Sequence, residues 1–163
     1  MKIFNALMLL LFFTSLTSCK TDKVNTKKAA ITNTLEFTKK QELSTNSFLY
    51  YYKTPKIKPA FPKDGIQILS SNIEGNTLTL DCTFSGGCEP HDFHIYFNGM
   101  SAKSLPPKIN IELYHDAHND NCEAKISQTL KINLIDLLGE SMVKQKPVIQ
   151  LHAGTKQLQF IMK

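Results

Sequence analysis

Thr77-Leu-Thr-Leu-Asp-Cys-Thr-Phe-Ser-Gly-Gly-Cys-Glu-Pro-His-Asp-Phe-His-Ile-Tyr-Phe97 is the stretch whose reading decides the fold. In its first part Leu78, Leu80, Cys82 and Phe84 alternate with Thr77, Thr79, Asp81 and Thr83. Strict alternation puts one set on a core face and the other towards water, which is a half-buried β-strand. Gly86-Gly87 ends that strand. The next strand carries His91, Phe93, Ile95 and Phe97 on one face and Asp92, His94 and Tyr96 on the other.

The same period extends outward in both directions. Ile66–Glu74 reads as a preceding strand, with Gly75-Asn76 as its turn. Downstream, Ser104-Leu-Pro-Pro107 interrupts the pattern, and Lys108–His115 resumes it with Ile109, Ile111, Leu113 and His115 in phase. A further strand places Leu130, Ile132 and Leu134 inward, and Asn133–Gly139 suggests a helical turn closed by its glycine. Val148–Leu151 and Gln157–Met162 pair as a hairpin around Ala153-Gly154. About seven short strands with closely spaced turns predict an all-β domain over residues 64–163. Its expected form is an antiparallel, Ig-like β-sandwich, because two apolar sheet faces cover each other. An open barrel would show the same alternation.

The beginning of the chain has a different character. Met1-Lys2, the apolar run Ala6–Phe13 and Leu16-Thr-Ser-Cys19 describe a secretory signal peptide over residues 1–18. The run is too short to span a bilayer. Leu-Thr-Ser-Cys is similar to the lipobox of bacterial lipoproteins, so Cys19 is expected to be acylated with palmitate-type chains and to become the mature N-terminus. Several acyl chains anchor stably where one does not. Lys20 after the cysteine matches lipoproteins sent to the outer membrane. Residues 19–63 then read as a disordered tether, since lysine, threonine and asparagine dominate and apolar residues lack a sustained period. Phe48-Leu-Tyr-Tyr-Tyr52 interrupts it and is expected to pack on the domain as an edge strand, while Pro55, Pro59 and Pro62 predict an extended connector.

The net charge of +5 belongs to the tether. Residues 20–63 hold ten Lys against three acids, whereas residues 64–163 hold eight Lys against eleven acids. There is no arginine, the residue best suited to bidentate recognition of phosphates and bases, so the composition argues against nucleic acid as a partner. The tether instead reads as a solvated spacer near a membrane surface.

The chemistry-bearing residues gather in two places, Cys88–His94 and His115–Cys122. With Cys19 acylated, Cys82, Cys88 and Cys122 remain, and an oxidising compartment favours one pair. Cys82 sits mid-strand among apolar residues; Cys88 and Cys122 follow strand ends, so these two are expected to form a disulfide. The competing reading keeps both reduced, with Cys88, Cys122, His91 and His115 as a closed tetrahedral zinc site, which would be structural and not catalytic. Otherwise no cofactor is implied. His118, Asp116 and Asp120 are further candidates for a polar ligand site. Asp116-Ala-His-Asn-Asp-Asn is a poor calcium loop, with histidine third and no glycine sixth.

Gly86-Gly-Cys-Glu-Pro-His-Asp-Phe93, Leu105-Pro-Pro107, His115–Ala124 and Leu130–Leu134 together resemble a group of uncharacterised bacterial lipoproteins. Their domains pair a Gly-Gly-Cys-x-x-His-x-Phe turn with a later Asp-x-Cys segment preceded by a histidine. The resemblance covers about residues 75–163 and implies a lipoprotein with a β-domain, but no reaction or ligand. The strand before the glycine turn often lacks a cysteine in that group, which makes Cys82 the extra thiol. The expected function is a lipid-anchored binding or structural module of the cell envelope without catalytic activity, meeting a protein or other envelope partner. A metal-binding lipoprotein is the alternative. A hydrolase or thiol enzyme is a weaker one, since no G-x-S-x-G is present.

Overall fold

The structure is a computed structural model that describes residues 37–43, 47–53 and 58–162. The signal peptide, Cys19 and most of the tether lie outside the described residues. The element order is β1 (Phe37–Glu42), β2 (Phe48–Lys53), β3 (Gln67–Glu74), β4 (Thr77–Gly86), β5 (Asp92–Ala102), β6 (Lys108–Asp116), β7 (Ala124–Asn133), α1 (Leu134–Leu138), α2 (Glu140–Val143), β8 (Val148–Ala153) and β9 (Lys156–Ile161). Two sheets form, one of six strands in the order β1-β2-β5-β6-β8-β9 and one of three in the order β3-β4-β7. They make a β-sandwich that is not closed into a barrel.

The alternating residues meet between the sheets. Phe93, Ile95 and Phe97 of β5 and Ile109, Ile111 and Leu113 of β6 belong to one buried cluster with Leu78, Leu80, Cys82 and Phe84 of β4 and Leu130 and Ile132 of β7. Each fully buried side chain of this size contributes roughly 1.5–3 kcal/mol. Asn133 caps α1, its side chain accepting hydrogen bonds from Ile135 N and Asp136 N. Leu134, Leu137 and Leu138 are buried on its apolar side.

Three expectations are corrected. The domain does not begin at residue 64, because β1 and β2 are strands of the large sheet. Phe48–Lys53 is also not an edge: β2 lies between β1 and β5, and Leu49 and Tyr51 are wholly buried. The Tyr51 hydroxyl accepts from Asn133 N at 3.2 Å, which joins β2 to the end of β7. In addition, the sandwich is not purely antiparallel, since β2 pairs with β5, and β6 with β8, in parallel. Parallel neighbours need a long crossover. The chain supplies one each time by visiting the small sheet, through β3 and β4 and then through β7. Alternation reports which face is buried and is blind to strand direction.

Candidate functional site

The rim of the sandwich brings the two predicted segments together. Cys88 and Cys122 form a disulfide with a Cα–Cα separation of 6.0 Å. Beside it, Asp120 Oδ2 accepts hydrogen bonds from the backbone N–H groups of Gly87, Cys88 and Glu89 at 2.8, 2.9 and 3.0 Å. Its other oxygen accepts from Cys122 N at 2.8 Å. Hydrogen bonds from Cys122 and Glu89, then Cys88 and His91, hold the Asp120 carboxyl far below the ordinary carboxylate range against the opposing effect of burial. A carboxylate in such a backbone nest fixes both loops at once.

From Asp120 a line of rings runs into the core. His91 Nε2 lies 3.2 Å from Asp120 Oδ2, His91 Nδ1 lies 2.7 Å from His115 Nε2, and His115 Nδ1 lies 3.1 Å from the Gly65 carbonyl. Both ends of this line are acceptors, so every contact has a donor only if three of the four ring nitrogens carry protons. Burial, then the neighbouring His91, pushes the His115 imidazole below its ordinary value, outweighing the Gly65 hydrogen bond. Phe84 stacks on His91 with centroids 4.7 Å apart. Gly86 makes room for the line: a Cβ there would stand 2.3 Å from His91 Nε2.

Among the described residues, the four named for the zinc alternative do not gather as one group. Cys88, Asp120 and Cys122 converge, but the two sulfurs are bonded to each other and neither is a thiolate. His91 and His115 are hydrogen-bonded to one another. His118 and Asp116 stand apart from this network, with His118 Nε2 3.0 Å from Asp92 Oδ2 and His118 N donating to Asp116 Oδ1. Cys82 is a free, buried cysteine whose Sγ lies 3.1 Å from the Gln128 carbonyl. Asp120 is the hub, a role that sequence spacing did not distinguish from that of its polar neighbours.

The outer face of the large sheet holds a second cluster that the alternation did not foretell. Cross-strand register aligns Tyr50 with His94 and His94 with Tyr114, and Tyr52 with Tyr96 and Tyr96 with Glu112. Phe61, from the proline-containing segment, lies over these rings, its centroid 4.8 Å from Tyr52, 4.9 Å from Tyr114, 5.2 Å from His94 and 6.3 Å from Tyr96. This segment is therefore a strap across the sheet and not a free connector. Lys58 pairs with Glu112 and stands 5.2 Å from the Tyr114 ring centroid. The Tyr114 hydroxyl also donates to Glu112. Burial opposes ionisation of Glu112, but the Lys58 and Tyr114 hydrogen bonds together keep its carboxyl below the usual range. Both ring nitrogens of His94 are buried without a hydrogen-bond partner among the described residues. An imidazole always carries at least one N–H, and a buried unmade bond costs about 1–3 kcal/mol.

Fold and rim together define the class: a two-sheet β-sandwich whose loops are clasped by a disulfide and a nested carboxylate. No family model and no curated protein matches the chain. Among solved structures, it is similar to a protein of unknown function from Bacteroides vulgatus ATCC 8482, with TM-score 0.47 and 12% identity over 79% of this chain and 67% of that one. A Bacteroides fragilis protein provisionally described as a lipoprotein gives 0.42 and 12%, over 68% and 67%. A Parabacteroides distasonis protein provisionally described as toxin-related gives 0.42 and 15%, over 72% and 62%. The chain thus spans less than two thirds of that last protein's length, and these descriptions belong to those proteins alone.

Proposed function

We propose that the protein is a lipid-anchored module of a bacterial envelope, held to the membrane through Cys19, whose β-sandwich binds a partner and catalyses no reaction. The observation that carries this reading is the use made of the chemistry-bearing residues. Cys88 and Cys122 are spent on one bond, and Asp120 is saturated by backbone donors. His91 and His115 are 4% and 1% exposed, so neither reaches a substrate without disturbing the core. A nucleophile needs a free, activated thiol or hydroxyl beside a base; Cys88 in its bonded form is neither. The anchor is supported by Leu16-Thr-Ser-Cys19 and by the lysine-rich residues after it.

The test is fractionation of cells expressing the full chain and its Cys19→Ala variant, with mass spectrometry of the N-terminal peptide. The wild type is expected in membranes with acyl mass on Cys19, and the variant in the soluble fraction. A wild-type chain that is soluble and carries no acyl mass overturns the proposal.

A further inference from the structure

The outer-face cluster is poorly matched to its cover. A sheet face closed for stability alone would place apolar groups under Phe61. Here the ring lies on His94, whose two nitrogens are buried and without a partner among the described residues, and against Tyr114, whose hydroxyl donates to Glu112. Asp92 and Asp116 also act electrostatically on His94. Lys58 meets Glu112, and it arrives on the same strap as Phe61. Among the described residues, no backbone hydrogen bond joins residues 58–63 to the sheet beneath. Among the described residues, the Lys58 ammonium and the Phe61 ring hold the strap to this face.

We propose that the bowl formed by Tyr52, His94, Tyr96, Tyr114 and Glu112 is a binding site for an organic cation bearing an apolar or aromatic group, and that Lys58 and Phe61 occupy it in place of that ligand. With the strap lifted, the bowl keeps aromatic faces and carboxylates and loses Lys58. Aromatic faces attract ammonium groups within about 6 Å of the ring centroid, most strongly when water is excluded. A ligand with a cationic head meets Glu112 and Tyr114 as Lys58 does, while its apolar body covers His94 as Phe61 does. This inference rests on reading the domain as a binding module and names the ligand class.

The test uses the full chain in a non-ionic detergent, with benzyltrimethylammonium as the probe and calorimetry as the readout. Phe61→Ala is expected to bind the probe at least tenfold more tightly than the wild type. Adding Glu112→Gln to that variant is expected to reverse the gain, and uncharged neopentylbenzene to bind at least tenfold more weakly. If Phe61→Ala fails to fold, Lys58→Gln leaves the ring in place, frees the carboxylate, and is expected to raise affinity severalfold. Equal affinity in wild type and variants, or equal affinity for the uncharged probe, overturns the proposal. Acylation of Cys19 is unaffected by either outcome, so failure here is distinct from failure of the anchored-module reading.

Discussion

A methyl group added at Gly86 would press on the His91 imidazole at 2.3 Å, and His91 has Phe84 and His115 stacked around it. Neither ring can withdraw without opening the core. Gly86→Ala is therefore expected to lower unfolding free energy by about 1–3 kcal/mol, the usual cost of overpacking, as measured by urea denaturation. The same few atoms contribute to the acid side of the stability curve. Asp120 is held below its ordinary value of about 3.9, so its contribution is whole above that pH and is lost as pH falls through the folded value. His115 is held below about 6.5, so the folded state favours its neutral form, and stability falls as pH drops from there. Both slopes have the same sign. The denaturation midpoint should fall below pH about 6.5 and again at lower pH, and Asp120→Asn should shrink only the lower fall, to which Glu112 also contributes. A midpoint that rises between about pH 6 and 5 would contradict this assignment.

At the scale of elements, β2 governs how much chain the fold needs. It is the neighbour of β5 on the side away from β6, and it fills the core with Leu49 and Tyr51. A chain starting at residue 64 is expected to lose the cooperative unfolding transition of the full chain, followed by circular dichroism against temperature. In the full chain Leu49→Ala should cost roughly 2–5 kcal/mol. Alternation made β4, β5 and β6 legible down to the face of each side chain, because burial on one side of a strand leaves a period-two record. Phe48–Tyr52 left a blurred one, since both of its faces are covered: Leu49 and Tyr51 by the core, Tyr50 and Tyr52 by His94 and Phe61. An aromatic run of that kind reads as apolar throughout and hides its own importance. Strand direction was illegible for a different reason, because parallel and antiparallel neighbours bury the same residues.

For the molecule as a whole, the clasp between Cys88 and Cys122 spans 34 residues of sequence and encloses β5 and β6. Closing a loop of that length stabilises the fold by roughly 3–4 kcal/mol in the chain-entropy model. Replacing both cysteines by serine should lower unfolding free energy by about that amount, measured in denaturant; no change would mean that the Asp120 nest holds the rim unaided. The pairing was legible because oxidation and strand-end placement leave few choices among three thiols. The nest was not, since it depends on three successive N–H groups turning towards one carboxylate more than thirty positions away. The proline stretch read as an extended connector, and its role as a strap was not legible because its single aromatic ring finds partners only once the sheet exists.

Cys82 has a bearing on how the molecule is made. Burial, then the nearby Asp81, pushes its thiol up to about 12, so in the finished protein it is locked as a spectator that cannot attack the clasp. The unfolded chain has no such protection: there Cys82 is an ordinary thiol six positions from Cys88 and far nearer to it than Cys122 is. Oxidation before the strands assemble therefore traps the wrong partners, and correct pairing demands either folding ahead of oxidation or an isomerase to undo the error.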